Sequence, residues 1–100
     1  MLSQQQHIAL QIHDMDNVAT VFNDIQKGEE VTIQDKKGNE VVLTSKSNIL
    51  FGHKIAIKEI KKDDKIIKYG EEIGIATKDI SVGEHVHVQN LDSARGRGDW

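Results

Sequence analysis

The feature that most constrains the fold is the shortness of the apolar segments. Aliphatic residues come in pairs separated by one residue, and glycines interrupt them at close intervals. This alternation is typical of half-buried β-strands, and no apolar run approaches the roughly 18 residues that cross a bilayer. The pattern therefore predicts a mainly β protein with many turns. The pairs include Ile8 and Leu10, Val31 and Ile33, Val41 and Leu43, Ile55 and Ile57, Ile73 and Ile75, and Val86 and Val88.

The segment after His13 is the exception. Asp14 or Asp16 can cap a helix, and Lys27 and Gly28 provide a basic last turn and a glycine stop. The segment therefore predicts one short α-helix. Its apolar face would consist of Val18, Val21, Phe22 and Ile25.

Three segments repeat one pattern, at residues 24–31, 59–66 and 79–86. Each reads acid, isoleucine, two variable residues, Gly or Asp, two polar residues and an aliphatic residue. Gly or Asp tolerates a left-handed backbone, so each copy predicts a tight turn that leads into a strand. Their irregular spacing argues against a solenoid.

Length and charge limit the organisation and the partners. One hundred residues predict one domain, at 8–91, with a disordered lead at 1–7 and a flexible tail or linker stub at 92–100. The net charge of -3 provides no basic field for nucleic acid, and the absence of cysteine restricts metal ligands to His, Asp and Glu. The N-terminus lacks the pattern of a secretion signal, so we expect a cytoplasmic protein without a membrane partner.

Two histidines near the C-terminus form the first candidate site. Period-two geometry puts His85 and His87 on one face, about 7 Å apart, opposite Val86 and Val88. Both imidazoles can then converge on one metal ion or one polyhydroxy acid. Alternatively, they are half-exposed histidines without a ligand.

His53 and Lys54 form a second candidate site, at the mouth of the Ile55 strand. A general base and a carboxylate clamp could lie together there. Alternatively, His53 bonds a loop carbonyl and Lys54 is a solvated strand charge. Tyr69, the one tyrosine in the sequence, favours a core position with its hydroxyl at the rim.

Several short motifs, taken in order, resemble the N-terminal domain of the altronate/galactarate dehydratase family. The resemblance covers about residues 8 to 91 and extends to small subunits of sulfolactate sulfo-lyases. Such domains are similar to SAF domains, which implies a β-clip fold. The motifs are Ile12-His13 with Asp16 to Ala19, Gly52 to Ala56, Ile67 to Gly70, Ile73-Gly74, and Gly83 to His87 with Asn90.

The resemblance also implies a function. Family members eliminate water or sulfite from sugar acids and related hydroxy acids, typically with Fe(II) or a similar divalent ion. It implies a small subunit, inactive alone, that lends one wall of the active site to a large catalytic subunit, which holds most of the metal site. By resemblance, His53 and Lys54 are catalytic, His85 and His87 bind metal, and Lys68, Tyr69 and Asn90 bind the sugar-acid substrate.

One residue departs from the family pattern, and two other functions remain open. Many relatives carry a third histidine where this sequence has Gln89, a poor metal ligand. The alternatives are a non-catalytic carbohydrate-recognition or periplasmic chaperone module and a plain metal-binding protein. An uncovered sheet edge would also allow a homodimer when the partner is absent.

Overall fold

The computed structural model describes residues 7–93, which form nine strands and no helix. The prediction of a mainly β fold is confirmed. Within these residues, no helix has the length and apolarity required to cross a membrane. The strands are β1 (Ile8–Leu10), β2 (Val18–Val21), β3 (Glu30–Gln34), β4 (Glu40–Thr44), β5 (Lys54–Ala56), β6 (Lys65–Lys68), β7 (Glu71–Ala76), β8 (His85–Val86) and β9 (Leu91–Ser93).

The strands form two sheets. The larger has the order β4-β3-β1-β2-β5-β8 and the smaller the order β6-β7-β9. Only the β1–β3 pair is parallel among the described strands. The predicted hairpin around residues 36–39 is confirmed as β3–β4, and β9 extends to Ser93. The remainder of the predicted tail, and residues 1–6 of the predicted lead, lie outside the described residues.

The predicted helix was wrong, because its centre is strand β2. This strand is buried on both faces. Ala19 and Val21 pack into one apolar cluster with Ile55, whereas Val18 packs into a second cluster with Ala56. A strand that contributes to two cores shows no clean alternation of apolar and polar residues, so its apolar positions matched helical spacing by coincidence.

The predicted repeat is confirmed, and the structure adds a fourth copy. Each copy contains a five-residue repeat turn, and the turns span residues 24–28, 48–52, 59–63 and 79–83. In every turn the fifth residue has a positive φ, between 77° and 94°. The N–H of the next residue donates to the carbonyl of the turn's third residue, at 2.9 to 3.1 Å. All four copies therefore share one backbone conformation.

The repeat turns associate in two pairs. Ile25 and Ile49 exchange two backbone hydrogen bonds of 2.7 and 2.8 Å, and Ile60 and Ile80 exchange two of 2.9 and 2.7 Å. All four isoleucines are buried. In each pair, the first side chain of one turn accepts a hydrogen bond from a backbone N–H of the other turn. These first residues are Asp24, Asn48, Glu59 and Asp79.

Asp16, predicted as a helix cap, instead connects the two sheets. Its buried carboxylate accepts hydrogen bonds from the N–H groups of Ile12 and His13 and, at 2.8 Å, from that of Gly70 in the β6–β7 turn. The next residue, Asn17, exchanges side-chain and backbone hydrogen bonds with β6. The β6–β7 hairpin is thereby held against the β1–β2 loop.

Gly28 and Gly83 occupy the same position in their repeat turns but differ in the space that a larger side chain would find. A Cβ at Gly28 would meet nothing within 4 Å, whereas one at Gly83 would lie 2.4 Å from the carbonyl oxygen of Thr44. Both residues have φ near +93°. We expect Gly28→Ala to lower the free energy of unfolding by about 1 kcal/mol through backbone strain alone. Gly83→Ala should cost at least about 2 kcal/mol more, because the backbone must also move.

Urea unfolding followed by circular dichroism measures both effects. Equal losses for the two variants would show that the contact between Gly83 and Thr44 does not constrain the fold.

Candidate active site

Strands β5 and β8 bring three histidines together, here called the histidine cluster: His53, His85 and His87. Lys54 pairs with Val86 and Ile55 with His85. Continuing this register places His53 opposite His87, with His85 diagonal to it on the same face. The rings stack, with centroids 4.4 Å apart for His53 and His87, 5.2 Å for His53 and His85, and 5.5 Å for His85 and His87.

His53 occupies a distinctive position in its repeat turn. In the other three copies the residue after the turn is an acid, whose carboxylate accepts a hydrogen bond from the turn's third N–H. Those acids are Glu29, Asp64 and Glu84. The fourth copy has His53 there, and its ring instead contacts the other two histidines. This fourth copy was not among the three predicted from the sequence, although the spacing of Ile49, Gly52 and Ile55 matches theirs.

Hydrogen bonds order the cluster. His53 Nδ1 lies 2.9 Å from His85 Nε2, and Gln89 Nε2 lies 3.2 Å from His85 Nδ1. Donation by the Gln89 amide to Nδ1 leaves the His85 proton on Nε2, from which it is donated to His53. Gln89 is thus a hydrogen-bond partner of His85 and not a member of the histidine cluster.

Asn90 holds the chain segment that carries the histidines. It is 2% exposed, its amide donates to the carbonyl of His85 at 2.9 Å, and its oxygen accepts from the N–H of His87 at 3.0 Å. Strand β8 ends at Val86, and residues 88–90 form a turn. The predicted alternation was therefore wrong for Val88, which is 78% exposed rather than beside Val86 in the core. Asn90 fixes the curvature that this turn requires.

The cluster and its neighbouring lysine are electrostatically crowded. Burial lowers the pKa of His85, and the positive charges of His53, His87 and Lys54 lower it further. Burial lowers the pKa of His87 as well, again with contributions from His53 and Lys54. Burial and the ammonium of Lys68 lower the pKa of Lys54. At neutral pH the imidazoles of His85 and His87 are therefore largely unprotonated, as a metal ligand or a general base must be.

The cluster has the donor chemistry of a metal site. One nitrogen from each ring lies within 4.8 Å of the other two, and the three residues are neither fully buried nor fully exposed. Neutral imidazoles suit Zn²⁺, Fe²⁺, Ni²⁺ and Cu²⁺, and three protein ligands leave coordination positions for other groups. The residues present thus fit a divalent transition metal.

A groove of about 630 Å³ adjoins the cluster. Lys54 and His87 line it from the larger sheet and the turn after β8, and Lys68 and Tyr69 line it from the β6–β7 hairpin. Tyr69 is 57% exposed, so the preference for a core position was wrong. The Lys68 ammonium lies 4.7 Å from the centre of the Tyr69 ring.

The structure therefore gathers six of the seven predicted site residues into one continuous surface. The cluster contains three of them, and Lys54, Lys68 and Tyr69 line the groove. Asn90 lies beneath the surface, with its amide engaged by backbone. Glu71 and Glu72, which the sequence analysis did not single out, also line the groove.

Comparison with known proteins gives one family and a consistent set of relatives. Residues 7–94 match the model of the altronate/galactarate dehydratase SAF domain. Altronate dehydratase from Bacillus subtilis (strain 168) is 47% identical over 81 residues, which are 81% of this chain and 15% of that enzyme. The chain thus spans about 15% of the length of that relative.

Shorter relatives match over most of their own length. Subunit alpha of (2R)-sulfolactate sulfo-lyase from Chromohalobacter salexigens is 33% identical over 88 residues, which cover 84% of this chain and 93% of that subunit. The corresponding subunit from Paracoccus pantotrophus is 47% identical over 53 residues, which cover 53% of this chain and 79% of that subunit.

The lowered pKa values predict a loss of stability in acid. Below the ordinary histidine pKa of about 6.5, the unfolded chain binds protons at His85 and His87 before the folded domain does. The free energy of unfolding therefore falls as the pH decreases from about 6.5 toward the folded-state pKa values. Lys54→Met removes one cause of the depression, so both pKa values should rise.

The measurement is an NMR titration of the ring C–H signals, with Lys62→Met as the exposed lysine control. Unchanged pKa values of His85 and His87 in the Lys54 variant would contradict the proposed electrostatic coupling.

Proposed function

This chain belongs to the altronate/galactarate dehydratase SAF domain family, and from that membership we propose that it is the small subunit of a cytoplasmic sugar-acid hydro-lyase. In this proposal the domain lends one wall of the active site to a large catalytic subunit. The observation that carries the proposal is the convergence of three histidines beside a groove that contains Lys54 and Lys68.

The lysines suit the anionic part of a sugar acid. No ion pair within residues 7–93 involves the ammonium of Lys54 or of Lys68. A substrate carboxylate in the groove would therefore find two ammonium groups to pair with, beside the Glu71 and Glu72 carboxylates that line the same groove. Tyr69 adds a hydroxyl and an exposed ring to the same wall.

The histidine cluster suits the chemistry of elimination. Loss of water from a hydroxy acid requires removal of a weakly acidic proton beside the carboxylate and stabilisation of the departing hydroxyl. In this proposal His53, beside Lys54, exchanges a proton at a ring nitrogen. His85 and His87 would hold a divalent ion, for which we propose Fe(II). Such an ion, when bound, polarises oxygen atoms as a Lewis acid.

The wall is incomplete, which supports a partner subunit. The cluster lies at β8, an edge strand of two residues, and the groove opens to solvent beside it. The short relatives are named as subunits of a sulfo-lyase, and this chain covers 93% of one of them. That coverage also favours a second candidate function, the elimination of sulfite from sulfolactate, which would use the same carboxylate-binding wall.

The test is reconstitution with Fe(II) and a panel of sugar acids that includes altronate, galactarate and sulfolactate. We expect no turnover by the chain or the large subunit alone, and turnover by the mixture. His53→Ala or His85→Ala should lower kcat of the mixture at least about 100-fold, because general acid-base groups typically contribute that much. The control is His7→Gln, which changes a histidine outside the cluster.

Two outcomes would remove this proposal. One is a mixture of folded subunits that turns over none of the panel. The other is a mixture in which His53→Ala and His85→Ala have no larger effect than His7→Gln. Tight metal binding without any partner or turnover would instead support a plain metal-binding module.

A further inference from the structure

The repeat turn that precedes His53 differs from the other three in the residues that it exposes. Its two variable positions are Leu50 and Phe51, which are 61% and 66% exposed. The other turns form the same backbone hydrogen bond, so the fold does not require large apolar residues here. Their corresponding residues are Gln26 and Lys27, Lys61 and Lys62, and Ser81 and Val82.

A third exposed apolar residue adjoins this turn. The N–H of Gly52 donates to the carbonyl of Val21, and the N–H of Phe51 donates to the carboxylate of Asp24. Phe22 lies between these two attachment points in the chain and is 49% exposed. Phe22, Leu50 and Phe51 are here called the apolar turn face. Exposed apolar residues that are grouped rather than scattered commonly mark an interaction surface.

The apolar turn face is continuous in the chain with the candidate site. His53 follows Gly52 directly, and its N–H donates to the carbonyl of Leu50 at 2.9 Å. A partner that contacts the histidine cluster at His53 would therefore lie close to Leu50 and Phe51, which belong to the turn immediately before it. Aromatic side chains such as those of Phe22 and Phe51 are enriched in protein–protein interfaces.

We propose that the apolar turn face is the docking surface for the large catalytic subunit, an inference that rests on the proposed function. In altronate dehydratase from Bacillus subtilis, the matched region makes up 15% of the enzyme, so a much larger body accompanies a domain like this one.

The test compares two double variants of similar exposure. Leu50→Lys with Phe51→Lys reproduces the polar surface of the turn at residues 59–63. The control is Val41→Lys with Val42→Lys, because Val41 and Val42 are 63% and 57% exposed on strand β4, at the far edge of the larger sheet. Each tagged chain is purified from its own host, and the retained polypeptides are identified and quantified by mass spectrometry.

We expect the wild-type chain and the control variant each to retain a large polypeptide in a 1:1 molar ratio. Its sequence should match the part of an altronate dehydratase that lies outside the SAF domain. The Leu50/Phe51 variant should retain at least tenfold less. Calorimetric titration of the isolated chains with Zn²⁺ should give the same affinity for this variant as for wild type, which shows that its histidine cluster is intact.

The other results overturn the inference in distinguishable ways. Equal retention by the two variants would show that docking uses another surface, while the proposed function would stand. Failure of the wild-type chain to retain any such polypeptide would remove the proposed function together with the docking surface. A homodimer that only the Leu50/Phe51 variant disrupts, without a lyase polypeptide, would identify a second copy as the occupant.

Discussion

The structure depends on the paired repeat turns. Each turn reverses the chain within five residues, because its fifth residue adopts a positive φ and the next N–H closes a hydrogen bond. Pairing then buries an isoleucine from each turn and satisfies backbone groups through the first side chain of the other. A small β domain has little apolar surface to bury. Reciprocal turns let it organise two cores with short strands that would be marginal alone.

The sequence could predict those parts of the fold whose conformation is determined by a few neighbouring residues. The hairpin at 36–39 and three repeat turns follow from residue types that tolerate tight turns. Strand β2 could not be recognised, because Val18 and Val21 belong to different cores and period-two alternation is lost. Likewise, the alternating pattern predicted that Val88 packs beside Val86. The Asn90 side chain instead holds the backbone of His85 and His87 in a turn, and Val88 is exposed. Only the tertiary pairing of β5 with β8 reveals that His53 lies opposite His87.

The candidate site arises where one repeat turn departs from the common pattern. Three copies use an acid to satisfy their own turn, which is a purely local role. In the fourth copy, the ring of His53 instead contacts His85 and His87, about thirty residues later in the chain. Burial and the neighbouring positive charges then lower the pKa values of Lys54, His85 and His87. The domain thus holds positive and proton-accepting groups close together, an arrangement that costs stability and is typical of functional sites.

The Asp16 carboxylate does not line the groove, but its hydrogen bond to Gly70 helps to position one wall of it. The two walls of the groove belong to different sheets, and Asp16 and Asn17 attach the hairpin carrying Lys68 to the loop between β1 and β2. The distance between the two lysines is therefore governed by a short connecting loop near the start of the chain. A change in that loop would therefore alter the width of the groove while leaving the residues that line it unchanged.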